Sequence, residues 1–345
     1  MLKKKSVGLD IGYRWIRLVG VRKSSSRIFL DKVVFLVEKK QLSYSEDLGL
    51  RLKTVLKSLG LSSARIIVGV CGQGILIKRL NVKVKAADEE ELEEVVFKEA
   101  KQHIPFELKD VVMDYAVVKR DQKKGEYVVF LVVCKDSVVE PVGKMISGVK
   151  LKLDVVDVDV FALANVFEFN YPERKQDVSC LLDVGENRSI LELYGKGELL
   201  FFREMPFGWS KLVEKVATVC GENYAGVEKI LLQGDDYHGP NKDKIVEVVD
   251  KEINFWSLEL KKVFAFVQSN YVEWSEVEVL FLSGIGVNLK TIIAQKIGQE
   301  FNLKLENLDP WRKIEKDVRQ FDFKYLDLIK SQMAIATGLA LRGVL

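Results

Sequence analysis

The sequence predicts an α/β fold of two similar lobes, with a small αββαβ subdomain inserted in the first lobe. A repeated motif carries this prediction, because VGLDIG at Val7–Gly12 and LLDVG at Leu181–Gly185 place Asp10 and Asp183 at equivalent points. Each motif is an apolar β-run that is broken by Asp and Gly and followed by a second apolar run, which is typical of a β-hairpin. One hairpin therefore opens each half of the chain, and a cleft between the two lobes is expected.

The bulk composition favours a globular protein of more than one domain. The chain has 345 residues, of which 48% are hydrophobic and 30% charged, so each domain can bury a core. Its 53 basic and 50 acidic residues nearly balance, and no nucleic acid is expected as a partner. Four scattered cysteines and two histidines lack the spacing of a zinc site. No apolar run reaches the roughly 18–20 residues that cross a bilayer, and no secretory signal is visible, so we expect a cytoplasmic protein with reduced thiols.

Apolar runs and turn residues predict the elements of the first lobe in order. A helix is predicted between the third and fourth strands, because its apolar residues lie on one face and Gly60 follows it. The predicted strands are Ser6–Asp10, Trp15–Arg22, Ile28–Val37, Arg65–Val70 and Ile75–Leu80, and the helix is Glu46–Leu59.

The character of the chain changes at Asn81, where the inserted subdomain is predicted to begin. Asp88 and Glu91 form a capping box for its first helix, which Pro105 ends. The polar turn Asp121–Gly125 then separates two strands. The remaining predicted elements are the strands Val111–Lys119, Glu126–Lys135 and Val149–Val160 and the helix Asp136–Ser147.

The second lobe repeats the opening hairpin and then becomes rich in helices. A buried strand ends in the turn Ser283-Gly284-Ile285-Gly286, and Asn288 is suited to cap the next helix. The predicted elements outside the hairpin are the helices Val160–Asn170, Trp209–Cys220, Leu289–Glu300 and Tyr325–Leu341, the strands Glu198–Pro206 and Val277–Leu282, and the helix-rich segment Gly226–Trp274. The predicted regions are residues 1–80 with 158–177 and 326–345 as the first lobe, 81–157 as the insertion, 178–208 with 275–325 as the second lobe, and 209–274 as its helix-rich subdomain.

The cleft between the two hairpins is the predicted functional site. Backbone N–H groups of tight turns bind phosphate, and a pair of aspartates can bind a hydrated divalent cation. A single Asp-x-Gly at a strand end is more often an ordinary turn, so the repetition at Asp10 and Asp183 is what favours a site. For Asp157 and Asp159, a solvated or capping role at the following helix is favoured over orientation of a water.

The two Asp-Gly hairpins and the strand–Ser-Gly-x-Gly–helix turn resemble the actin-like superfamily, which has a duplicated ribonuclease H-like fold. More closely, the chain resembles the PilM family of type IV pilus assembly, and FtsA of cell division shares the architecture. The resemblance is carried by segments that occur in order along nearly the whole chain. These are Gly8–Gly12, Glu99–Tyr115, Asp157–Glu168, Gly195–Gly208, Leu232–Gly234, Phe281–Gly286 and Gly338–Gly343.

The resemblance implies ATP or ADP with Mg²⁺ as the cofactor, and it implies no catalytic residue. The nucleotide contacts would come from the two hairpins, one helix of the second lobe and the Ser-Gly-x-Gly turn. These implied contacts are Asp10, Gly12, Tyr13, Arg14, Asp183, Gly185, Glu228, Gly284 and Gly286. Asp10 and Asp183 would bind the magnesium ion through water.

The sequence departs from the family pattern at four of these contact regions. Tyr13-Arg14-Trp15 stands where small hydroxyl residues are usual, and Glu186 brings a negative charge towards the phosphate position. Leu231 replaces a usual lysine, and Ile285 replaces a glycine. We therefore expect nucleotide binding to be weakened or lost, with Asp10, Asp183 and Gly284 remaining chiefly as elements of the fold.

The expected function, by resemblance, is a scaffold at the inner face of the cytoplasmic membrane. The chain would bind the N-terminal cytoplasmic tail of a PilN-like single-span protein in a groove between the first lobe and the inserted subdomain, and no groove residue is assigned. Pilus motor ATPases and a second copy of the chain are further expected partners, and the membrane is reached only through a partner. The alternatives are an ATP-hydrolysing switch, a sugar-kinase-like transferase and an FtsA-like polymerising protein.

Overall fold

The computed structural model describes residues 4–38, 40–84, 89–121, 123–233, 237–285, 289 and 293–345. The chain forms two compact units. The large unit comprises Met1–Ser43, Leu56–Gly69 and Asp157–Leu345, and the small unit comprises Tyr44–Val55 and Val70–Val156. Both hairpins of the repeated motif belong to the large unit.

Strands and helices alternate along the described chain, which confirms the predicted α/β class. The strands are β1 (Lys4–Ile11), β2 (Trp15–Ser24), β3 (Arg27–Val37), β4 (Arg65–Val70), β5 (Ile75–Lys83), β6 (Val111–Asp121), β7 (Glu126–Lys135), β8 (Leu153–Val158), β9 (Val178–Val184), β10 (Ser189–Gly195), β11 (Glu198–Met205), β12 (Val279–Gly284) and β13 (Lys304–Asn307). The longer helices are α1 (Glu46–Ser58), α2 (Glu89–Ala100), α3 (Asp136–Gly148), α4 (Asp159–Asn170), α5 (Trp209–Cys220), α6 (Tyr224–Gln233), α7 (Lys242–Asn270), α8 (Phe323–Ile329) and α9 (Ala334–Arg342).

The first five-stranded sheet has the order β3-β2-β1-β4-β8. Its central strand β1 is antiparallel to β2 and parallel to β4, and its apolar residues Val7 and Leu9 are almost fully buried. Asp10 lies opposite Arg17 in the β1–β2 register, one pair before the turn. The strand end therefore brings a carboxylate to the start of the first hairpin turn.

The second five-stranded sheet has the order β11-β10-β9-β12-β13, which repeats the arrangement of the first. Here β9 takes the place of β1, since it is antiparallel to β10 and parallel to β12. Asp183 on β9 lies opposite Ile190 in the hairpin and opposite Ser283 of β12. The equal order of the two sheets confirms the duplicated fold that the repeated motif predicted.

Large aromatic side chains fill the core of the helix-rich part of the large unit. Trp209 of α5 and Trp256 of α7 are fully buried, and Phe207 stacks on Trp256 with ring centroids 5.0 Å apart. The helix α5 has the predicted bounds and ends at Gly221 in the left-handed conformation, with φ of 68°. The tryptophans of this region serve core packing.

The C-terminal helix α9 packs against α4 and β1 at very short backbone distances. A Cβ atom on Gly338 would lie 1.8 Å from the carbonyl oxygen of Ala162, and one on Gly8 would lie 2.0 Å from that of Ala336. The single helix predicted over Tyr325–Leu341 is divided in the structure, because a 3₁₀ turn separates α8 from α9. Glycine and alanine at these contacts let the two helices and the strand approach one another.

The small unit contains a three-stranded antiparallel sheet with the order β5-β7-β6. The sequence analysis grouped β5 with the first lobe, but it pairs with β7 over its whole length, from Ile75 opposite Cys134 to Lys83 opposite Glu126. Helix α2 covers this sheet with Leu92, Val96 and Ala100, all of which are buried. The predicted cap Asp88 lies outside the described residues. The observed β8 is shorter than predicted.

Two further features of the fold differ from or extend the predictions. The predicted helix Leu289–Glu300 contains a π-helical turn at Ala294–Gly298 that continues into Gln299–Phe301, while its predicted cap Asn288 lies outside the described part of the chain. The short strand β13 was not predicted. Among the described helices, none combines the length and the apolar composition needed to cross a bilayer.

Candidate functional site

The first hairpin places Asp10 at the end of β1 and turns through residues 12–14 into β2. The Gly12 N–H donates to the carbonyl oxygen of Trp15 at 2.8 Å, which closes the turn. The side chain of Tyr13 at the tip is 38% exposed, whereas Arg14 is buried. The turn thus directs one residue to solvent and the next into the protein.

The Arg17 guanidinium is the cation nearest to Asp10. Its Nη1 donates to Asp10 Oδ2 at 2.8 Å, and both side chains are at most 11% exposed, so solvent screens their attraction little. The guanidinium carbon also lies 4.8 Å from the centre of the Trp15 ring, at the distance of a cation–π contact. Asp10, predicted to bind Mg²⁺, therefore forms a salt bridge within the protein.

The second hairpin buries Asp183 at the end of β9. Its Oδ1 accepts a hydrogen bond from the Ser283 hydroxyl at 2.6 Å. The turn that follows is tight, since the Gly185 N–H donates to the Arg188 carbonyl oxygen at 3.0 Å. The positive charge of Arg17 in the first hairpin favours the ionised form of Asp183, whereas the negative charge of Asp10 opposes it. The two repeated aspartates are therefore electrostatic neighbours.

The turn after β12 requires glycine at position 284. Gly284 lies opposite Val184 in the parallel register and has a φ of 72°, in the left-handed region. A Cβ atom at Gly284 would lie 2.2 Å from the Val184 carbonyl oxygen. The close approach of the two strands therefore explains why glycine stands at position 284. The other implied contact of this turn, Gly286, lies outside the described residues.

Glu186 connects the two hairpins. Its Oε2 accepts the backbone N–H of Arg14 at 2.8 Å, although the two residues are 172 positions apart. Its carbonyl oxygen accepts the N–H of Ser210 in the first turn of α5 at 2.8 Å. A Cβ atom on Gly12 would lie 2.9 Å from the same Oε2, so glycine leaves room for this carboxylate. A protein carboxylate thus lies at the turn where the resemblance implied a phosphate.

The Arg14 side chain extends towards helix α6. Its guanidinium carbon lies 4.0 Å from the centre of the Tyr224 ring, and its Nε donates to the Glu38 carbonyl oxygen at 3.0 Å. Burial raises the pKa of Glu228 on the same helix, and the charge of Arg14 opposes this rise. Glu228, one of the implied nucleotide contacts, is therefore a neighbour of Arg14.

Burial sets the pKa of the central carboxylates. It raises the pKa of Asp183 from 3.8 to about 6, against the hydrogen bond from Ser283 and the charge of Arg17. Burial likewise raises the pKa of Glu186, which the backbone N–H of Arg14 opposes. Burial also raises the pKa of Glu192 on β10, and the charge of Asp183 adds to the rise. Neither carboxylate oxygen of Glu192 has a hydrogen-bond partner among the described residues. The site thus disfavours additional negative charge.

We expect Asp183→Asn to remove a pH dependence of the free energy of unfolding. Because the folded pKa of Asp183 lies near 6 and the unfolded value near 3.8, its contribution is greatest below about pH 4 and is lost as pH rises to about 6. The amide does not ionise, so the variant should be more stable than the parent chain at pH 7.5, by up to about 3 kcal/mol. Urea unfolding at pH 5 and pH 7.5 measures the difference.

Asp177→Asn is the matched control for this experiment, since Asp177 is half exposed and pairs with Arg174 at the surface. The control should leave the free energy of unfolding at pH 7.5 close to that of the parent chain, because an exposed ion pair contributes little. An Asp183→Asn chain with the same pH slope as the parent would contradict the buried, ionised state of Asp183 at neutral pH.

The residues present do not fit a magnesium–phosphate group in this arrangement. Asp10 is paired with Arg17, and the Arg14 N–H is engaged by Glu186. Within the described ranges, no group of three or more His, Cys, Asp or Glu side chains is arranged to bind a metal ion. The two hairpins carry a network of two arginines and several carboxylates, in which Arg17 pairs with Asp10 and favours the ionised forms of Asp183 and Glu186.

The structure brings most of the implied contact residues together, although their role as nucleotide contacts stays a prediction. Those around the arginine–carboxylate network are Asp10, Gly12, Arg14, Asp183, Gly185 and Glu228. Arg17 and Tyr224, which belong to this network, were not among the residues predicted for the site. Arg17 has a readable signal, since it is a charged residue in the apolar run of β2 and is as far from the turn as Asp10. Asp157 accepts a hydrogen bond from the Val158 N–H and pairs with Arg342 at 3.7 Å. It does not cap α4, because the N-cap is Val158, which has no side-chain capping bond.

The fold and the paired hairpins make this chain a protein of the actin-like ATPase fold. Among solved structures it is similar to the ethanolamine utilization protein EutJ from Carboxydothermus hydrogenoformans, with a TM-score of 0.55 at 14% identity over 99% of this chain and 90% of that one. It is also similar to MreB 5 of Spiroplasma citri bound to AMPPNP, with a TM-score of 0.51 at 9% identity over 97% and 94% of the two chains.

Within this fold, the chain belongs to the family of the type IV pilus assembly protein PilM, whose profile matches residues 8–344. It is similar over 99% of its length, and over 98% of the other chain, to a chain of the PilM-PilN type IV pilus biogenesis complex. That superposition has a TM-score of 0.84 at 22% sequence identity. The chain is therefore an actin-like protein of type IV pilus assembly.

Proposed function

We propose that this chain is a cytoplasmic scaffold of type IV pilus assembly that binds the N-terminal cytoplasmic tail of a PilN-like inner-membrane protein. Its likeness to a chain of the PilM-PilN complex extends over 99% of its own length. The chain would reach the inner face of the cytoplasmic membrane through this partner and would couple it to the pilus motor ATPases. Recognition would use an extended peptide whose side chains enter pockets of a largely preformed groove.

We propose further that the scaffold works with weakened or absent nucleotide binding. The observation that supports a scaffold over an ATPase is the bond between the Arg14 N–H and Glu186, because that N–H is then not available to a phosphate. The salt bridge of Arg17 to Asp10 supports the same proposal, since it neutralises the carboxylate that would bind hydrated magnesium.

The test of partner binding uses the full chain and a fluorescent peptide of the N-terminal cytoplasmic tail of the PilN-like protein from the same organism. Saturable binding in fluorescence anisotropy is expected, with a Kd of the order of micromolar or tighter, and none to a scrambled peptide of equal composition. Absence of binding to the authentic peptide would contradict the scaffold proposal. Filaments on lipid in sedimentation and electron microscopy would favour an FtsA-like polymer instead.

The test of the nucleotide proposal is thermal unfolding of the parent chain with Mg-ATP. A ligand at about 100 times its Kd stabilises the folded state by about 2.7 kcal/mol, so a binding-competent cleft would give a clear rise in Tm. We expect no rise at millimolar Mg-ATP. A rise of several degrees, or ATP turnover above the buffer background, would favour an ATP-hydrolysing switch.

A further inference from the structure

We propose that the Glu186 carboxylate is a resident substitute for a phosphate group, which ties the first hairpin to the second and excludes the phosphates of nucleotides. The inference deepens the proposed loss of nucleotide binding, on which it rests, by assigning that loss to one side chain. It follows that the chain retains a site for nucleoside polyphosphates that becomes able to bind them when this carboxylate is removed.

The contacts of the carboxylate are those that a phosphate oxygen makes at a glycine turn. Oε2 of Glu186 lies 2.8 Å from the backbone nitrogen of Arg14, and turn N–H groups are the usual donors to bound anions. At Gly12 a Cβ atom would lie 2.9 Å from the same oxygen. Close approach of an anion to a turn that lacks a side chain is the arrangement found in phosphate-binding loops.

The charges around Glu186 also suit an anion at this place. The guanidinium groups of Arg17 and Arg14 both favour its ionised form, in addition to the backbone hydrogen bond. Glu186 is only 6% exposed, and a buried carboxylate needs such partners, because desolvation of an unpaired charge costs several kcal/mol. Removal of the carboxylate would leave the Arg14 N–H without this acceptor and would take away a negative charge that lies near Arg14 and Arg17.

Glu186 is anchored at its own backbone, which makes the carboxylate a cross-link between the hairpins. The carbonyl oxygens of Gly185 and Glu186 accept the N–H groups of Trp209 and Ser210 at 3.0 and 2.8 Å. The second hairpin is thereby attached to the first turn of α5, while the carboxylate binds the first hairpin at Arg14. The carboxylate thus connects the two hairpins through contacts within the protein.

The experiment compares the full-length parent chain with Glu186→Ala in calorimetric titrations with Mg-ATP, Mg-ADP and inorganic pyrophosphate. Glu186→Ala should bind at least one of these anions about tenfold or more tightly than the parent chain, since like charge and steric exclusion are removed together. Glu204→Ala is the matched control, because Glu204 is a partly buried carboxylate that pairs with Arg188. The control should bind as the parent chain does.

If the alanine variant does not fold, Glu186→Gln replaces it. The amide oxygen keeps an acceptor for the Arg14 N–H but carries no charge, so a smaller gain of about threefold in pyrophosphate binding is expected. A folded Glu186 variant with no gain for any of the three anions overturns the inference and leaves the proposed weak nucleotide binding intact. If the parent chain binds Mg-ATP tightly, the proposed loss of nucleotide binding is wrong. If the Glu186 variant then binds Mg-ATP as tightly as the parent chain does, the inference about Glu186 is wrong as well.

Discussion

A Gly338→Ala chain is expected to lose about 3 kcal/mol or more of its free energy of unfolding. The added Cβ would lie 1.8 Å from the carbonyl oxygen of Ala162 and 2.5 Å from its carbonyl carbon. Both are backbone atoms of α4, so the overlap cannot be relieved by rotating a side chain. On the other side α9 packs against β1, where Gly8 approaches Ala336 equally closely. The helix therefore has no direction in which to move without losing contacts.

Gly226→Ala is the control for this prediction. Gly226 also lies in a helix of the large unit, but a Cβ there would meet only the ends of the Glu222 and Asn223 side chains, at 3.3 Å or more. This substitution should be neutral or stabilise the helix by about 0.5–1 kcal/mol. Urea midpoints of the three chains test the difference. Equal midpoints for Gly338→Ala and the parent chain would show that α9 is not held at the distance described.

The fold was readable from the sequence where local patterns determine it. The two hairpins follow from apolar runs interrupted at Asp10 and Asp183, and α5 follows from its amphipathic pattern and Gly221. The pairing of β5 with β7 was not readable, because strand pairing depends on contacts between distant parts of the chain. The interruption of the last helix by a 3₁₀ turn left no signal in its apolar pattern.

The contacts of the candidate site were also only partly predictable from the sequence. The pair of Asp10 and Arg17 could be read from a hairpin register, since the two residues are equally distant from the turn. The bond between Glu186 and the Arg14 N–H could not, because it joins residues 172 positions apart and requires the two halves to be assembled. The sequence did indicate that Glu186 disfavours phosphate. That its carboxylate bonds the turn of the first hairpin is visible only in the folded chain.

The Arg17→Ala chain is expected to be destabilised by about 3–5 kcal/mol at neutral pH, since it leaves a buried carboxylate without its partner. Asp10 would lose its 2.8 Å salt bridge, and Asp183 and Glu186 would lose the positive charge that favours their ionised forms. Asp10→Asn combined with Arg17→Met removes both charges of the pair and should recover much of the stability, because a neutral, well-packed pair replaces a buried ion pair with little cost.

The pH dependence distinguishes this electrostatic effect from a simple loss of packing. Without Arg17 the folded pKa of Asp183 should rise above its present value of about 6, so the stability lost through its ionisation should extend to higher pH. The destabilisation of Arg17→Ala should therefore be smaller at pH 5 than at pH 8 in urea unfolding. A loss that is equal at both pH values would mean that Arg17 acts through its contacts with Trp15 and Phe35, and not by compensating the charge of the carboxylates.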